Sequence, residues 1–194
     1  MASLHLTLLG GFAARLASGR SLHLPSAKAR GLLAILALQP GHTLARDKLT
    51  SILWPDVPDD QARHSLRQTL FMLRKNAPSV DLAADGDNLT LAPAGVTVDV
   101  AQFRTLVARA RPEALAEAST LYRGDLLEGL RVSERPFEDW LFGERERLRE
   151  LAIGAFRALV AHHSAAGETA EALQAALRLV SIDPLNEPAH RAII

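Results

Sequence analysis

The stretch LWPDVPDDQARHSLRQTLFMLRKNAP, residues 53–78, decides how the rest of the chain is read. Within it Ala62, Leu66, Leu70, Leu73 and Ala77 recur at steps of 4, 4, 3 and 4, the spacing that stacks apolar side chains on one face of an α-helix. A second stripe carries Arg63, Arg67 and Arg74, and His64, Gln68 and Lys75 repeat its spacing alongside. Asp59 and Asp60 stand in the first turn and Arg74 and Lys75 in the last, so each end complements the helix dipole, and Asn76 and Pro78 supply stop signals. The spacing predicts one helix over residues 59–76, apolar behind and cationic in front. Guanidinium and carboxamide groups on such a rod have the fork that matches guanine and adenine edges in the major groove. A solvated surface helix also carries charges, so its neighbours have to decide between the two readings.

Upstream, GHTLARDKLTSILWPD (residues 41–56) predicts a short helix with Thr43 as its N-cap, Leu49, Ile52 and Leu53 inward, and Trp54 and Pro55 closing it. Before that, SAKARGLLAILAL (residues 26–38) opens at Ser26 and is apolar nearly all round, as a central helix should be. Lys28 and Arg30 fall in its first turn, where a positive charge opposes the dipole by roughly 0.3–1 kcal/mol unless an anion lies nearby. A backbone phosphate would be such an anion. Downstream, VDLAADGDNLTLAP (residues 80–93) reads as two strands around Asp85-Gly86-Asp87-Asn88. Three helices followed by a hairpin is the order of a winged helix. Val96 to Val100 then alternates as a strand, and Asp99 can cap the helix that follows without any Gly/Ser-rich linker, so the two halves should move as one body. Helices are expected at about 100–109, 112–122, 136–164 and 168–181, with another starting at 186. Prolines 112 and 136 stand at helix starts.

These pieces resemble a known family. LLGGFAARL (8–16), KARGLLAILAL (28–38), ARDKLTSILWPD (45–56) and SLRQTLFMLRK (65–75) are similar to the OmpR-type winged helix of bacterial activators of the antibiotic-regulatory class. LYRGDLLEGL (121–130) and WLFGERERLRELA (140–152) resemble their bacterial transcriptional activator domain. The resemblance runs from Leu4 to the end of the chain and implies an α+β winged helix over 1–98, followed by an all-α, tetratricopeptide-like domain over 99–194, truncated at its C-terminus. With Gly167 in a turn, Phe156, Leu159, Ala172 and Pro184 take repeat positions, while Val160 and His163 depart from the pattern. The chain stops at residues 189–194, early in a further helix, which implies a piece of a longer protein. A winged helix beginning so near residue 1 implies no preceding phosphoreceiver domain and an input signal from the C-terminal side.

Composition narrows the class. A chain of 194 residues with 48% hydrophobic and 23% charged content suits one large or two small globular domains. It has no cysteine, no basic leader and no apolar run near membrane-span length, so a soluble cytoplasmic protein is expected. Net charge is zero, yet residues 26–76 hold 8 Lys/Arg against 4 Asp, a net +4 on the three helices. A field this modest cannot grip DNA by charge alone, so specificity would need two or more copies on adjacent sites.

Enzyme chemistry finds no support. The histidines at 5, 23, 42, 64, 162, 163 and 190 lack the paired spacing of a zinc protease, and His162 and His163, about 100° apart on a helix, should not chelate one ion. Gly10-Gly11 follows a strand without a phosphate loop or dinucleotide fingerprint and reads as a bulge or tight turn. No cofactor or metal is expected. On the long helix, Trp140, Glu144, Arg145 and Leu148 read as packing plus surface charge.

The expected function is a sequence-specific DNA-binding transcriptional activator acting on double-stranded DNA. Arg63, His64, Arg67 and Gln68 face base edges, and Lys28, Arg30, Arg46, Lys48, Arg74 and Lys75 are candidates for phosphates. The helical half, by its resemblance, contacts RNA polymerase or neighbouring protomers in a homo-oligomer on tandem sites, and the acidic turn from Asp56 to Asp60 is a second polymerase candidate. Two features depart from this picture. No Lys or Arg lies between Lys75 and Arg104, while Asp81, Asp85, Asp87 and Asp99 make that stretch −4, so the wing should stay off the negative minor groove. Phe71 interrupts the ridge and is expected to pack on the wing or the second domain rather than meet a thymine methyl. Both favour the competing reading, a protein-interaction adaptor whose winged helix has lost DNA affinity.

Overall fold

The apolar stripe of residues 62–77 becomes the back of an 18-residue helix, and the first half is assembled around it. The computed structural model describes residues 4–24, 26–78 and 80–193, so the start of the expected 1–98 unit and the last residue of the 99–194 unit lie outside the described residues. The chain is mostly helical, with two small three-stranded sheets confined to residues 4–98. Helix α1 (Ala27–Leu38) is buried on every side from Leu32 to Ala37 and is capped by Ser26, whose hydroxyl accepts from the Ala29 N–H (3.4 Å). Helices α2 (Arg46–Leu53) and α3 (Asp59–Asn76) pack against it, and α3 buries Ala62, Leu66, Leu70 and Leu73, with Ala77 buried just beyond its end.

The strands are β1 (Leu4–Thr7), β2 (Ala13–Leu16), β3 (Thr43–Ala45), β4 (Leu82–Asp85), β5 (Asn88–Leu91) and β6 (Val96–Val98), forming sheets of order β2-β1-β6 and β3-β5-β4. The β4–β5 hairpin turns through Gly86 (φ 54°) and Asp87, as its Asp-Gly signal predicts. The third strand of that sheet corrects the sequence reading. Thr43 does not cap α2; it pairs with Thr90 across β3 and β5, their hydroxyls 2.8 Å apart, and α2 begins three residues later behind Ala45 with no side-chain cap. The Arg46 N–H bonds instead to the Asp87 carbonyl (2.8 Å), so the hairpin supplies what a cap would have supplied.

Strand β6 lies parallel to β1 and runs directly into α4 (Asp99–Arg109). Asp99 departs from its expected capping role, since the cap position is Val98. Its buried carboxylate accepts from the N–H groups of Leu8 (2.9 Å), Leu9 (3.0 Å) and Val100 (2.8 Å), tying the start of α4 to the end of β1. Burial pushes this carboxyl above its usual range, outweighing the lowering effect of those N–H groups and of Arg123.

The regular elements described in the second half are helices: α4, α5 (Pro112–Leu121), α6 (Arg135–Ala166), α7 (Thr169–Ile182) and α8 (Glu187–Ile193). Helices α6 and α7 form a hairpin at Gly167 (φ 74°), with Phe156, Leu159 and Ala172 buried and Pro184 exposed. The two halves share one continuous core. Phe137 of α6 has no exposed surface, and a Cβ added to Gly31 of α1 would stand 2.9 Å from its ring. The loop joining α5 to α6 lies along residues 8–11: Leu127 donates to the Leu8 carbonyl (2.8 Å), Gly10 to Asp125 (3.0 Å) and Glu128 to Gly10 (2.7 Å). Gly10-Gly11 is therefore the seat for this loop rather than a bulge within the sheet.

Two substitutions check these contacts. Gly31→Val should lose about 2–3 kcal/mol in urea unfolding through overpacking, and Phe137→Leu in that background should recover part of it; strict additivity of the two would deny the contact. Asp99→Ala leaves the Leu8 and Leu9 N–H groups without their acceptor and should cost about 2–5 kcal/mol by the same measurement.

Candidate nucleic-acid interface

With its apolar stripe turned inward, α3 presents Arg63, His64, Arg67, Gln68, Phe71 and Lys75 as exposed side chains. Helical geometry puts His64, Gln68, Phe71 and Lys75 opposite the buried stripe and Arg63, Arg67 and Arg74 along one flank. The Gln68 amide donates to His64 Nε2 (2.8 Å), which orients it one turn along the helix. Arg63 meets Asp47 of α2 at 3.2 Å, with the two side chains 51% and 74% exposed. Such a surface pair is worth about 0–1 kcal/mol, so an incoming anion or base edge can displace it cheaply.

The six phosphate candidates divide. Among the described residues, the Lys48 and Lys75 side chains have no hydrogen-bond or ion-pair partner, and neither does Arg67 among the base-edge candidates. Arg30 and Arg46 are half-buried, each with its Nε shielded and unpartnered. Arg74 donates to the Leu82 carbonyl (2.9 Å) and so ties α3 to the base of the hairpin. Lys28 is spoken for: it pairs with Glu134 at the start of α6, and its Nζ sits 5.2 Å from the centre of the Trp54 ring. The anion that the first turn of α1 requires thus comes from the other half of the chain.

Phe71 corrects the sequence reading. It packs on neither the hairpin nor the second half but stands 65% exposed, because it lies on the solvent side of α3, far round from Leu66 and Leu70. The acidic hairpin tip, Asp85 to Asn88, is exposed as well.

Elsewhere, two residues expected to be surface charge hold the fold together. Arg145 donates to the carbonyls of Leu126 (2.8 Å) and Leu127 (3.1 Å), and Glu144 receives Arg104 of α4 (2.9 Å), while Leu148 is buried and Trp140 lies against Phe137 as expected. No sequence spacing signals these contacts, because their partners are 18 to 40 residues away. Nearby, Tyr122 bonds Asp125 (3.3 Å), and burial together with that carboxylate pushes its hydroxyl up to about 12. His162 and His163 also depart from expectation. Their ring centres lie 5.3 Å apart, and together with Glu168 their ligand atoms lie within 4.8 Å of one another. His163 Nδ1 is engaged by the Glu168 carboxylate at 2.6 Å, which pins the α6–α7 turn. Among the described residues, no helix is long and apolar enough to cross a membrane.

No curated protein sequence matches the chain. Among solved structures it is similar to EmbR of Mycobacterium tuberculosis, described in complex with a low-affinity phosphopeptide, at a TM-score of 0.72 and 22% sequence identity. That likeness, which is one of fold, covers 100% of this chain and 54% of the EmbR chain. The sequence profile of the bacterial transcriptional activator domain matches residues 98–194, the stretch from the end of β6 through the helical half. With half of its length matched, the chain belongs to the bacterial transcriptional activator domain family, a family of bacterial transcription regulators.

Proposed function

We propose that the chain is a sequence-specific DNA-binding transcriptional activator. In this reading residues 1–98 form an OmpR-type winged helix-turn-helix, and residues 99–194 a tetratricopeptide-like domain for contacts with RNA polymerase or neighbouring protomers. The observation that carries it is the open ridge of α3, a rigid helix whose back is buried and whose front offers Arg63, His64, Arg67 and Gln68 to solvent. Laid in a major groove, these four face base edges. Lys48 and Lys75 reach phosphates first, with Arg30 and Arg46 behind them; Lys28 and Arg74, already engaged, contribute less. The hairpin stays off the minor groove, since Asp85 and Asp87 would meet a surface of their own sign. Such a role places the protein in the cytoplasm with the chromosome. With so few phosphate contacts, two or more copies on adjacent sites are needed for tight binding.

Fluorescence anisotropy with duplexes enriched from a random library tests this. Arg63→Ala/Arg67→Ala should weaken binding by about 10- to 100-fold, and log affinity should fall with log salt at a slope of about −4 to −5 for four to six neutralised phosphates. Binding that ignores both the double substitution and salt would instead support an adaptor, the reading that the acidic hairpin favours.

A further inference from the structure

A phenylalanine at 65% exposure on the outer face of a helix, among polar side chains, is a standing cost in water. Its neighbours on the α3 surface, three and four residues away, are Arg67, Gln68, Arg74 and Lys75, so the ring is encircled by donors and cations. A docking patch for another protein would be contiguous and apolar, and this is a single ring. Met72, the next apolar side chain, belongs to the other flank, where it lines a groove of about 300 Å³ with Trp54, Ser65 and Asn76. The setting suits a partner that is polyanionic overall and carries isolated methyl groups at the depth a helix reaches. Duplex DNA has that chemistry, in the C5-methyl of thymine on the floor of the major groove.

Building on the DNA-binding reading, we propose that Phe71 is a specificity determinant that selects thymine by apolar contact with its C5-methyl group. Along the helix axis Phe71 follows Gln68 by about 4.5 Å, close to the 3.4 Å or so between successive base pairs. The two therefore address the same or adjacent pairs. Gln68, oriented by His64, has the carboxamide fork that reads adenine, and Phe71 meets a thymine at or beside that pair. Recognition would combine one polar and one apolar reader on a single face.

Deoxyuridine scanning tests this with the full 194-residue chain. A duplex enriched from a random library is resynthesised with deoxyuridine replacing thymine one position at a time, which removes only the methyl group. One or two positions should lose affinity by about 4-fold, the cost of exposing one buried methyl-sized group. Phe71→Ala should abolish that loss at those positions, whereas Phe71→Leu should keep part of it. Unchanged thermal unfolding, expected at so exposed a site, would show that both variants fold. If no duplex is enriched, the DNA-binding reading falls and this inference with it. Where a duplex binds but no position senses the methyl, or Phe71→Ala senses it as the wild type does, only the thymine contact is overturned. An altered oligomeric state of Phe71→Ala with unchanged DNA affinity would assign the ring to a protein contact and overturn the proposal in the same way.

Discussion

The seating of α6 on α1 is the contact on which the arrangement of the chain depends. The Phe137 ring occupies the space that any side chain at position 31 would need, so it can lie on the α1 backbone only where glycine stands. Around that contact the Lys28–Glu134 pair, the Asp99 carboxylate and the loop along residues 8–11 each join the first half to the second. Because interiors are close-packed and transmit strain, a displacement of α6 must be felt in α1, and through α1 in the helix that packs beside it.

This seam settles a question that charge alone leaves open. Two cations in the first turn of α1 need an anion, and a phosphate would serve as well as a carboxylate. Glu134 holds Lys28 from the opposite side of the seam, with Trp54 flanking the ammonium, so part of the cationic composition of residues 26–76 belongs to the scaffold. Arg74 is diverted similarly, to the base of the hairpin. What remains outward is narrower than the composition suggests: Arg63, Arg67 and Lys75 on α3 and Lys48 on α2. On the proposed DNA-binding reading, a small set of cations around a polar and aromatic ridge favours reading by shape and base edge over binding by charge.

Local periodicity was legible throughout. Apart from the start of α2, the helix boundaries of both halves, the hairpin with its Asp-Gly turn and the buried stripe of α3 all follow from spacings of 3.6 or 2 and from turn chemistry within a few residues. The expected exposure of Arg63 and Arg67 follows from the same rule, since burying Leu66 and Leu70 turns those side chains away from the core. The resemblance to the activator family rested on the order of six short motifs, and the match over residues 98–194 agrees with it.

The sequence by itself determined which residues share a helix face, because that depends only on backbone geometry acting within one or two turns. Tertiary structure alone decided which partner each polar group found. Thr43 went to a strand with Thr90, Asp99 to Leu8 and Leu9, and Arg145 to the carbonyls of a preceding loop. Each outcome is a competition among groups that are remote in sequence, won by whichever arrangement satisfies buried donors and acceptors while keeping the core packed. No spacing rule reaches across 90 residues, and there the shape of the folded chain had to speak.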